Sequence, residues 1–493
     1  MRVCLVNPPS GFLLDERVFV SLGLLKVASA LEAAGHDVRV LDLSGIANYL
    51  DPLRDYLAGS ADAAFGVTTT TPQLPAAAAI GELIRAARPD ARLILGGPHV
   101  TLTYAALKLE LARGIVKGRA ARAAAQLEER FDVLVAGDGE LAVLRALEPV
   151  ECQWVDGDNP SGGLFMSDAQ YTATPPPARH LVDMASYRYA IEGHPATSLI
   201  AQLGCPFSCG FCGGRHSKSL RVIRTRTSDS ILAEVEHLHR TYGYTGFMFY
   251  DDELNVNRGM VGLMNGLADL QERLGVEFRL RGFVKAELFS EEQAAALRRA
   301  GFRWLLCGFE AADQRILFNI RKRATVVDNT RMIEIARHHE LKVKALMSVG
   351  HPGESEETVL RVRDWLIDRR IDDFDCTVIT TYPGTPYYDE ALPHESLPGV
   401  YTYRQPKTGD RLHAVDVDYL TTADYYKGDP EGGYRAFVFT DALSSDRLVA
   451  LRDQVEREVR AALGIPFNHA RAALRYEHSM GQMLPGFILI HGG

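Results

Sequence analysis

A chain of 493 residues exceeds what one hydrophobic core supports, so two or three domains are expected, and 46% hydrophobic residues at a mean hydropathy of −0.08 can fill them. A formal net charge of −9 with no long Lys/Arg block argues against a phosphate-backbone footprint, and so against a nucleic-acid partner. No apolar stretch is long enough to span a bilayer, the first residues reach Asn7-Pro8-Pro9 too early for a signal peptide, and seven cysteines in a long chain suit a reducing cytoplasm rather than a disulfide framework.

The first 150 residues alternate apolar runs with helical segments. Strands are expected at residues 2–6, 38–43, 64–67, 92–95 and 133–135, with helices at 22–34 and 75–87, the pattern of a parallel, doubly wound α/β sheet. Such a sheet binds ligands beyond the carboxyl ends of its strands. Thr68-Thr69-Thr70-Thr71-Pro72-Gln73 follows the third strand, Gly96-Gly97-Pro98-His99 the fourth and Gly137-Asp138-Gly139-Glu140 the last. Glycines let a flat ligand approach the backbone and Thr supplies hydroxyls. No G-x-G-x-x-G follows the first strand, which disfavours a dinucleotide.

Residues 151–195 read as a linker, with Asp156-Gly157-Asp158-Asn159-Pro160 and Pro175-Pro176-Pro177 as turn and extended-chain signals and a hairpin expected around 163–172. A second strand–helix alternation begins at 198. Strands are expected at 198–203, 246–250, 278–284, 304–309, 342–349 and 374–379, separated by five helices, which fits a partial (β/α)6 barrel with its chemistry at the carboxyl ends of the strands.

The first of these strands delivers Cys205-Pro206-Phe207-Ser208-Cys209-Gly210-Phe211-Cys212. Three of the seven cysteines lie in this loop, spaced C-x-x-x-C-x-x-C. Three thiolates on one centre select an iron–sulfur cluster, zinc or copper(I), and leave one position open; for zinc, His216 is the nearest further ligand. Cys4, Cys152, Cys307 and Cys376 are isolated and read as buried small hydrophobes. The later strand ends carry Tyr250-Asp251-Asp252-Glu253, then Arg279 and Arg281 on one face, Gly308-Phe309-Glu310, Val349-Gly350-His351-Pro352-Gly353-Glu354 and Tyr382-Pro383-Gly384-Thr385-Pro386.

Beyond 390 the chain is rich in Tyr and Phe (Tyr401, Tyr403, Tyr419, Tyr425, Tyr426, Tyr434, Phe437, Phe439), a candidate substrate lid in a small α+β region 391–493. A helix is expected over 446–463, capped by Ser444 or Ser445, with Leu448, Leu451, Val455 and Val459 as its core stripe and Gly464 and Pro466 as its stop.

The cysteine spacing, with Phe211 before the last Cys, resembles the signature of the radical S-adenosylmethionine (SAM) enzymes. With the Gly96-Gly97-Pro98-His99 and Gly137-Asp138-Gly139-Glu140 loops upstream, residues 1–390 resemble the B12-dependent radical SAM family. The resemblance implies a Rossmann-like cobalamin-binding domain at 1–150 and a radical SAM barrel at 196–390. It implies a [4Fe–4S] cluster on Cys205, Cys209 and Cys212, with SAM on the open iron and cleaved by one electron to a 5′-deoxyadenosyl radical. Phe211, Asp251, Asp252, Glu253, Arg281, Glu310, Gly350 and Tyr382 would lie at SAM, with Arg281 equally suited to substrate. Thr68, Thr69, Thr70, Gln73, Gly96, Gly97, His99, Gly137, Gly139 and Glu140 would hold cobalamin. The D-x-H-x-x-G box of the B12 mutases is absent, so a loop at 69–74 would face the cobalt with at most a weak ligand.

The implied activity is methylation of an unactivated carbon of a small molecule through methylcobalamin, with flavodoxin or ferredoxin as electron donor; no barrel residue is singled out as catalytic. A cyclisation or ring rearrangement without methyl transfer is the alternative within the family. Transfer-RNA methylthiolation would want further cluster cysteines in the first domain, which offers only Cys4. A non-catalytic cobalamin- or cluster-binding regulator is the reading from another class.

Overall fold

The computed structural model describes residues 1–11, 15–149, 153–425, 435–467 and 488–489. Cys152, Tyr426 and Tyr434 lie outside them.

The first sheet contains β1 (Arg2–Asn7), β2 (Asp37–Asp42), β3 (Ala64–Thr68), β4 (Arg92–Gly96), β5 (Val133–Gly137) and β6 (Trp154–Gly157), all parallel in the order β2-β1-β3-β4-β5-β6. Its strands are apolar because helices cover both faces; Val3, Cys4, Val6, Phe65, Leu93, Val133 and Leu134 are fully enclosed. The order reverses between β1 and β3, which opens a crevice at their carboxyl ends. β6 carries this sheet to Gly157, beyond the boundary expected at 150, and the Trp154 ring stacks on Tyr104 at 4.6 Å. The expected hairpin at 163–172 is instead the helix Asp168–Ala173, because Ser167 and Gln170 form a reciprocal capping box.

The second sheet runs β15-β14-β13-β12-β11-β8-β7. Its members are β7 (Ala190–Ile191), β8 (His194–Leu199), β11 (Gly246–Phe249), β12 (Arg279–Phe283), β13 (Phe302–Glu310), β14 (Lys342–Val349) and β15 (Asp373–Val378), parallel except for the β7–β8 hairpin. This is the half-barrel that the second alternation predicts. β8 ends at Leu199 rather than at 203, because the Ala201 and Gln202 amides donate to the Asp251 carboxylate instead of to a neighbouring strand. β9 (Gln202–Leu203) then pairs antiparallel with β10 (Arg224–Thr225), and the cysteine loop lies between them.

An open barrel leaves β15 as an edge strand, with backbone groups that need partners. The helix Ser445–Leu463 supplies them. Ser444 caps its start and Gly464, at φ 68°, ends it, and Leu448, Leu451, Val455 and Val459 are fully buried, all as the sequence predicts. Beside that stripe, Arg452, Glu456 and Arg460 form an i,i+4 ladder buried on β15. Arg452 Nε donates to Cys376 O (2.6 Å), Arg460 Nη2 to Phe374 O (2.9 Å), and Cys376 N donates to Glu456 Oε1 (3.2 Å).

The C-terminal region adds an antiparallel sheet of β16 (Leu392–Pro393), β17 (Val400–Arg404), β18 (Arg411–Val415) and β19 (Val438–Thr440). Tyr419 and Tyr425 pack into the core under the first sheet, and Tyr401 and Tyr388 sandwich Arg119 with ring centroids 3.7 and 3.8 Å from its guanidinium carbon. These aromatics therefore strap the first module to the barrel. No helix among the described residues is long and apolar enough to cross a membrane.

Candidate functional site

The cysteine loop is held from all sides. Gly204 turns the chain at φ 88°, where a Cβ would come within 2.2 Å of the Val222 carbonyl oxygen. Gly210 N donates to Ile320 O (2.7 Å) and Gly214 N to Gly384 O (3.0 Å). Phe207 lies under Lys285, whose Nζ is 4.1 Å from the ring centroid, and Phe211 meets His351 edge-on at 5.4 Å. Cys209 packs on Ala311, Ile316, Leu317 and Ile320. Burial pushes the Cys205 thiol up to about 11 and raises Cys209; Cys212, open to the cleft but ringed by protein, is raised by burial and by its two sister thiols. Such thiols ionise when a cation replaces their protons, which is the donor chemistry of a metal centre. His216 faces Asp389, Nε2 to Oδ2 4.0 Å.

The strand-end carboxylates divide into two kinds. Asp251 is enclosed, and its Oδ1 accepts the two amides that end β8, so it braces the loop from behind. Glu253 is pushed up to about 7 by burial, against the pull of Lys322 and Lys285. Asp252 is raised by burial, opposed by the Gly204 amide. Glu310, at φ 66°, accepts from Lys322 Nζ (3.1 Å) and from Ser348 Oγ (2.8 Å). Burial pulls the Lys322 ammonium down, yet Glu310, Cys209 and Glu253 outweigh it and keep it charged. Gly350 turns at φ 94°, and the Gly350 and His351 amides both donate to Glu354 Oε2. Tyr382 is pushed up to about 12 by burial, with Cys212 adding to it.

On the other side, a cavity of about 360 Å³ opens at the carboxyl ends of β1, β3, β4 and β5. Thr68, Thr70, Gln73, Gly96, Gly97, Gly137, Gly139 and Glu140 line it, together with Gly66, Asp138 and Val135. Its far wall is Leu203, Ser219, Leu220 and Arg224, the residues that flank the cysteine loop. Arg224 reaches Asp138 in a buried ion pair, and Asp158 accepts from Ser217 Oγ (2.6 Å) and Ser219 N (2.8 Å), so cavity rim and cysteine loop are one bolted assembly. Thr69 and His99, both expected at this ligand, sit off the cavity. Thr69 is buried with its hydroxyl on Thr70 O (2.8 Å), and the His99 ring is held between the Thr71 (3.0 Å) and Thr103 (3.4 Å) hydroxyls.

Residues 16–128 match the B12 binding domain and residues 199–366 the radical SAM superfamily, in the order in which the structure places a cofactor cavity and a cysteine loop facing each other. The chain belongs to the cobalamin-dependent radical SAM enzymes. An uncharacterized methyltransferase of Pyrococcus horikoshii is 26% identical over 80% of the chain and 84% of its own length. An anaerobic magnesium-protoporphyrin IX monomethyl ester cyclase of Rubrivivax gelatinosus is 25% identical over 70% and 60%, and the hopanoid C-3 methylase of Methylococcus capsulatus 24% over 86% and 78%. The structure of the radical SAM methyltransferase TsrM from Kitasatospora setae with cobalamin and a [4Fe–4S] cluster bound superposes at a TM-score of 0.60, 18% identical, over 94% of this chain and 99% of that one.

This cobalamin-dependent radical SAM enzyme has a cleft that fits its cofactors. A Cβ on Gly97 would meet Thr69 backbone at 2.8 Å and one on Gly137 would meet Gly157 and Asp158 backbone at 2.3 Å, so the cradle keeps its width only with glycine. The Gln73 amide is fully engaged, its oxygen by Thr70 N (3.0 Å) and its nitrogen by Pro8 O (2.8 Å), and His99 is turned away. Sequence reasoning missed Lys322, Lys285 and Arg224. Lys322 stands in the basic run Arg321-Lys322-Arg323 and the other two in a loop or at a strand end, and nothing in spacing announces that any of them will be buried against a distant carboxylate or ring.

His99 gives a pH signature for the first module. Burial lowers it to about 4 from its ordinary 6.5. The unfolded chain therefore binds the extra proton first as pH falls, so stability is complete above 6.5 and is lost progressively down to 4, by about 3 kcal/mol in all. The thermal midpoint of a His99→Gln variant is expected to fall less steeply than wild type across this window; parallel curves would contradict it.

Proposed function

We propose that this enzyme methylates an unactivated carbon of a small-molecule substrate, using one cleft for the cluster, SAM and cobalamin. The observation that carries the reading is that Leu203, Ser219, Leu220 and Arg224, beside the cysteine loop, form a wall of the cavity at the first sheet's rim. A reactive carbon radical attacks its nearest neighbour, so hydrogen abstraction and methyl delivery need a shared, water-poor space. The methyltransferase and methylase names of two relatives support methyl transfer.

When bound, the cluster supplies the electron that cleaves SAM, and the corrin carries the methyl group. Cys205, Cys209 and Cys212 hold the cluster. Asp252, Glu253 and Glu310 would take the SAM amino group, with Lys322 balancing their charge. Phe211, Gly350 and Tyr382 border the rest of SAM, and Asp251 positions the loop. Thr68, Thr70, Gln73, Gly96, Gly97, Gly137, Gly139 and Glu140 cradle the corrin and its nucleotide tail. Residues 69–74 would lie beside the corrin, and the Gln73 side chain there is already engaged by Thr70 and Pro8, so this loop would offer it at most a weak ligand. The chain works in a reducing cytoplasm with flavodoxin or ferredoxin as electron donor.

The cyclase relative favours a second reading, an oxidative ring closure without methyl transfer. Product analysis separates them. Turnover with substrate is expected to yield S-adenosylhomocysteine alongside 5′-deoxyadenosine; deoxyadenosine without S-adenosylhomocysteine would assign the cyclase chemistry instead.

A further inference from the structure

The inner face of the half-barrel carries one cation that the described residues leave unanswered. Arg281 stands on β12, on the same face as Arg279, Phe283 and Lys285. Its neighbours on that face are paired, Arg279 with Glu277 (2.6 Å) and Lys285 with Glu287 (3.2 Å). Arg281 is in no ion pair with a described carboxylate, and its Nε is buried without a hydrogen-bond partner. Facing it is the buried Tyr189 hydroxyl, whose one polar neighbour is Arg281 itself. Burial raises that phenol, and the charge of Arg281 and a hydrogen bond with it oppose the rise, so the two groups share one enclosure.

The enclosure is aromatic. Phe19 lies against Tyr189 with ring centroids 4.8 Å apart and against Tyr250 at 5.3 Å, and Tyr250 meets Phe283 edge-on at 6.0 Å. It is also open, since Tyr250 is 46% exposed. Its position lies between the two cofactor sites. Phe19 is two residues before Ser21, which lines the cobalamin cavity. Arg281 is four residues before Lys285, which follows the end of β12 and covers Phe207 of the cysteine loop.

We propose that Arg281 and the rings of Phe19, Tyr189, Tyr250 and Phe283 form the substrate subsite, and that the substrate is a small molecule joining a flat apolar body to a carboxylate. A guanidinium held among rings with no carboxylate partner recovers its desolvation cost when a planar carboxylate docks on it, and the rings take the apolar body. A phosphate dianion would want a second free cation, and the neighbouring cations on this face are already paired. Sequence reasoning leaves Arg281 between SAM and substrate; this geometry gives it to substrate. The inference rests on the reading of the cleft as the reaction centre.

The probe is indole-3-acetate against its amide, indole-3-acetamide, titrated calorimetrically into the reconstituted enzyme. The acid is expected to bind at least about tenfold more tightly than the amide, and Arg281→Gln to erase that preference while SAM affinity is kept and Arg281→Lys retains part of it. Equal binding of acid and amide by the wild type overturns the proposal. Loss of SAM affinity in Arg281→Gln overturns it too and assigns the residue to SAM. Deoxyadenosine formation by wild type with dithionite tests the radical SAM reading separately, so the two failures are distinguishable.

Discussion

Replacing Cys205, Cys209 and Cys212 together by Ala is expected to abolish 5′-deoxyadenosine formation while leaving corrin binding largely intact. The reason is geometric. The three sulfurs are the converging soft donors at the barrel mouth, and burial keeps each protonated until a metal centre takes the proton's place. The cobalamin cradle draws only on backbone and side chains that flank the loop, Leu203, Ser219, Leu220 and Arg224, and on the first sheet. The check is chromatographic quantitation of deoxyadenosine beside the visible corrin spectrum of the same sample. Deoxyadenosine formation that persists in the triple variant would contradict the assignment of the cluster to these three cysteines.

The second large effect concerns stability. Glu456→Ala is expected to destabilise the protein by ~1.5–3 kcal/mol, because it removes the counter-ion that the buried Arg452 and Arg460 share along one helix and leaves them only Asp453 and Asp373 beside them. It also orphans the Cys376 amide on β15. Glu456→Gln, which keeps an acceptor oxygen for that amide, should cost clearly less. Denaturant midpoints of the two variants read this out; equal losses would mean that charge plays no part in sealing the edge.

These two cases show what a sequence discloses. The cysteine loop was legible because its donors are adjacent in the chain, and the half-barrel because strand and helix periods alternate regularly. The glycine-rich turns that line the cavity at the first sheet's rim were legible for the same reason, as breaks at fixed places after apolar strands. The ladder on the last helix was hidden. Arg452, Glu456 and Arg460 read as an ordinary solvated i,i+4 face, and only the open edge of β15, a property of the closed fold, draws them inside.

Long-range pairings account for the other differences. Asp251, expected at SAM from its place after a strand, accepts the amides of Ala201 and Gln202 on Oδ1 and keeps a buried Oδ2 with no hydrogen-bond partner. His99 looked like a cofactor contact from its place in a glycine-rich turn, but the helix Pro98–Ala112 begins one residue earlier and turns its ring toward Thr71 and Thr103. The first sheet gained β6 from a stretch whose Gly and Pro content reads as linker, because Trp154 and Val155 supply enough apolar surface for one more edge strand.

The central claim is that one chain carries the radical-generating cluster and the corrin in a single cleft. Its most direct test is anaerobic reconstitution with iron, sulfide and hydroxocobalamin, followed by gel filtration and optical spectroscopy of the protein peak. The account predicts that stoichiometric corrin absorption and four-iron cluster absorption co-elute with the same chain, and that the Cys205/Cys209/Cys212 triple variant retains the first and loses the second. Elution of the corrin free of protein, with the cluster retained, would contradict it.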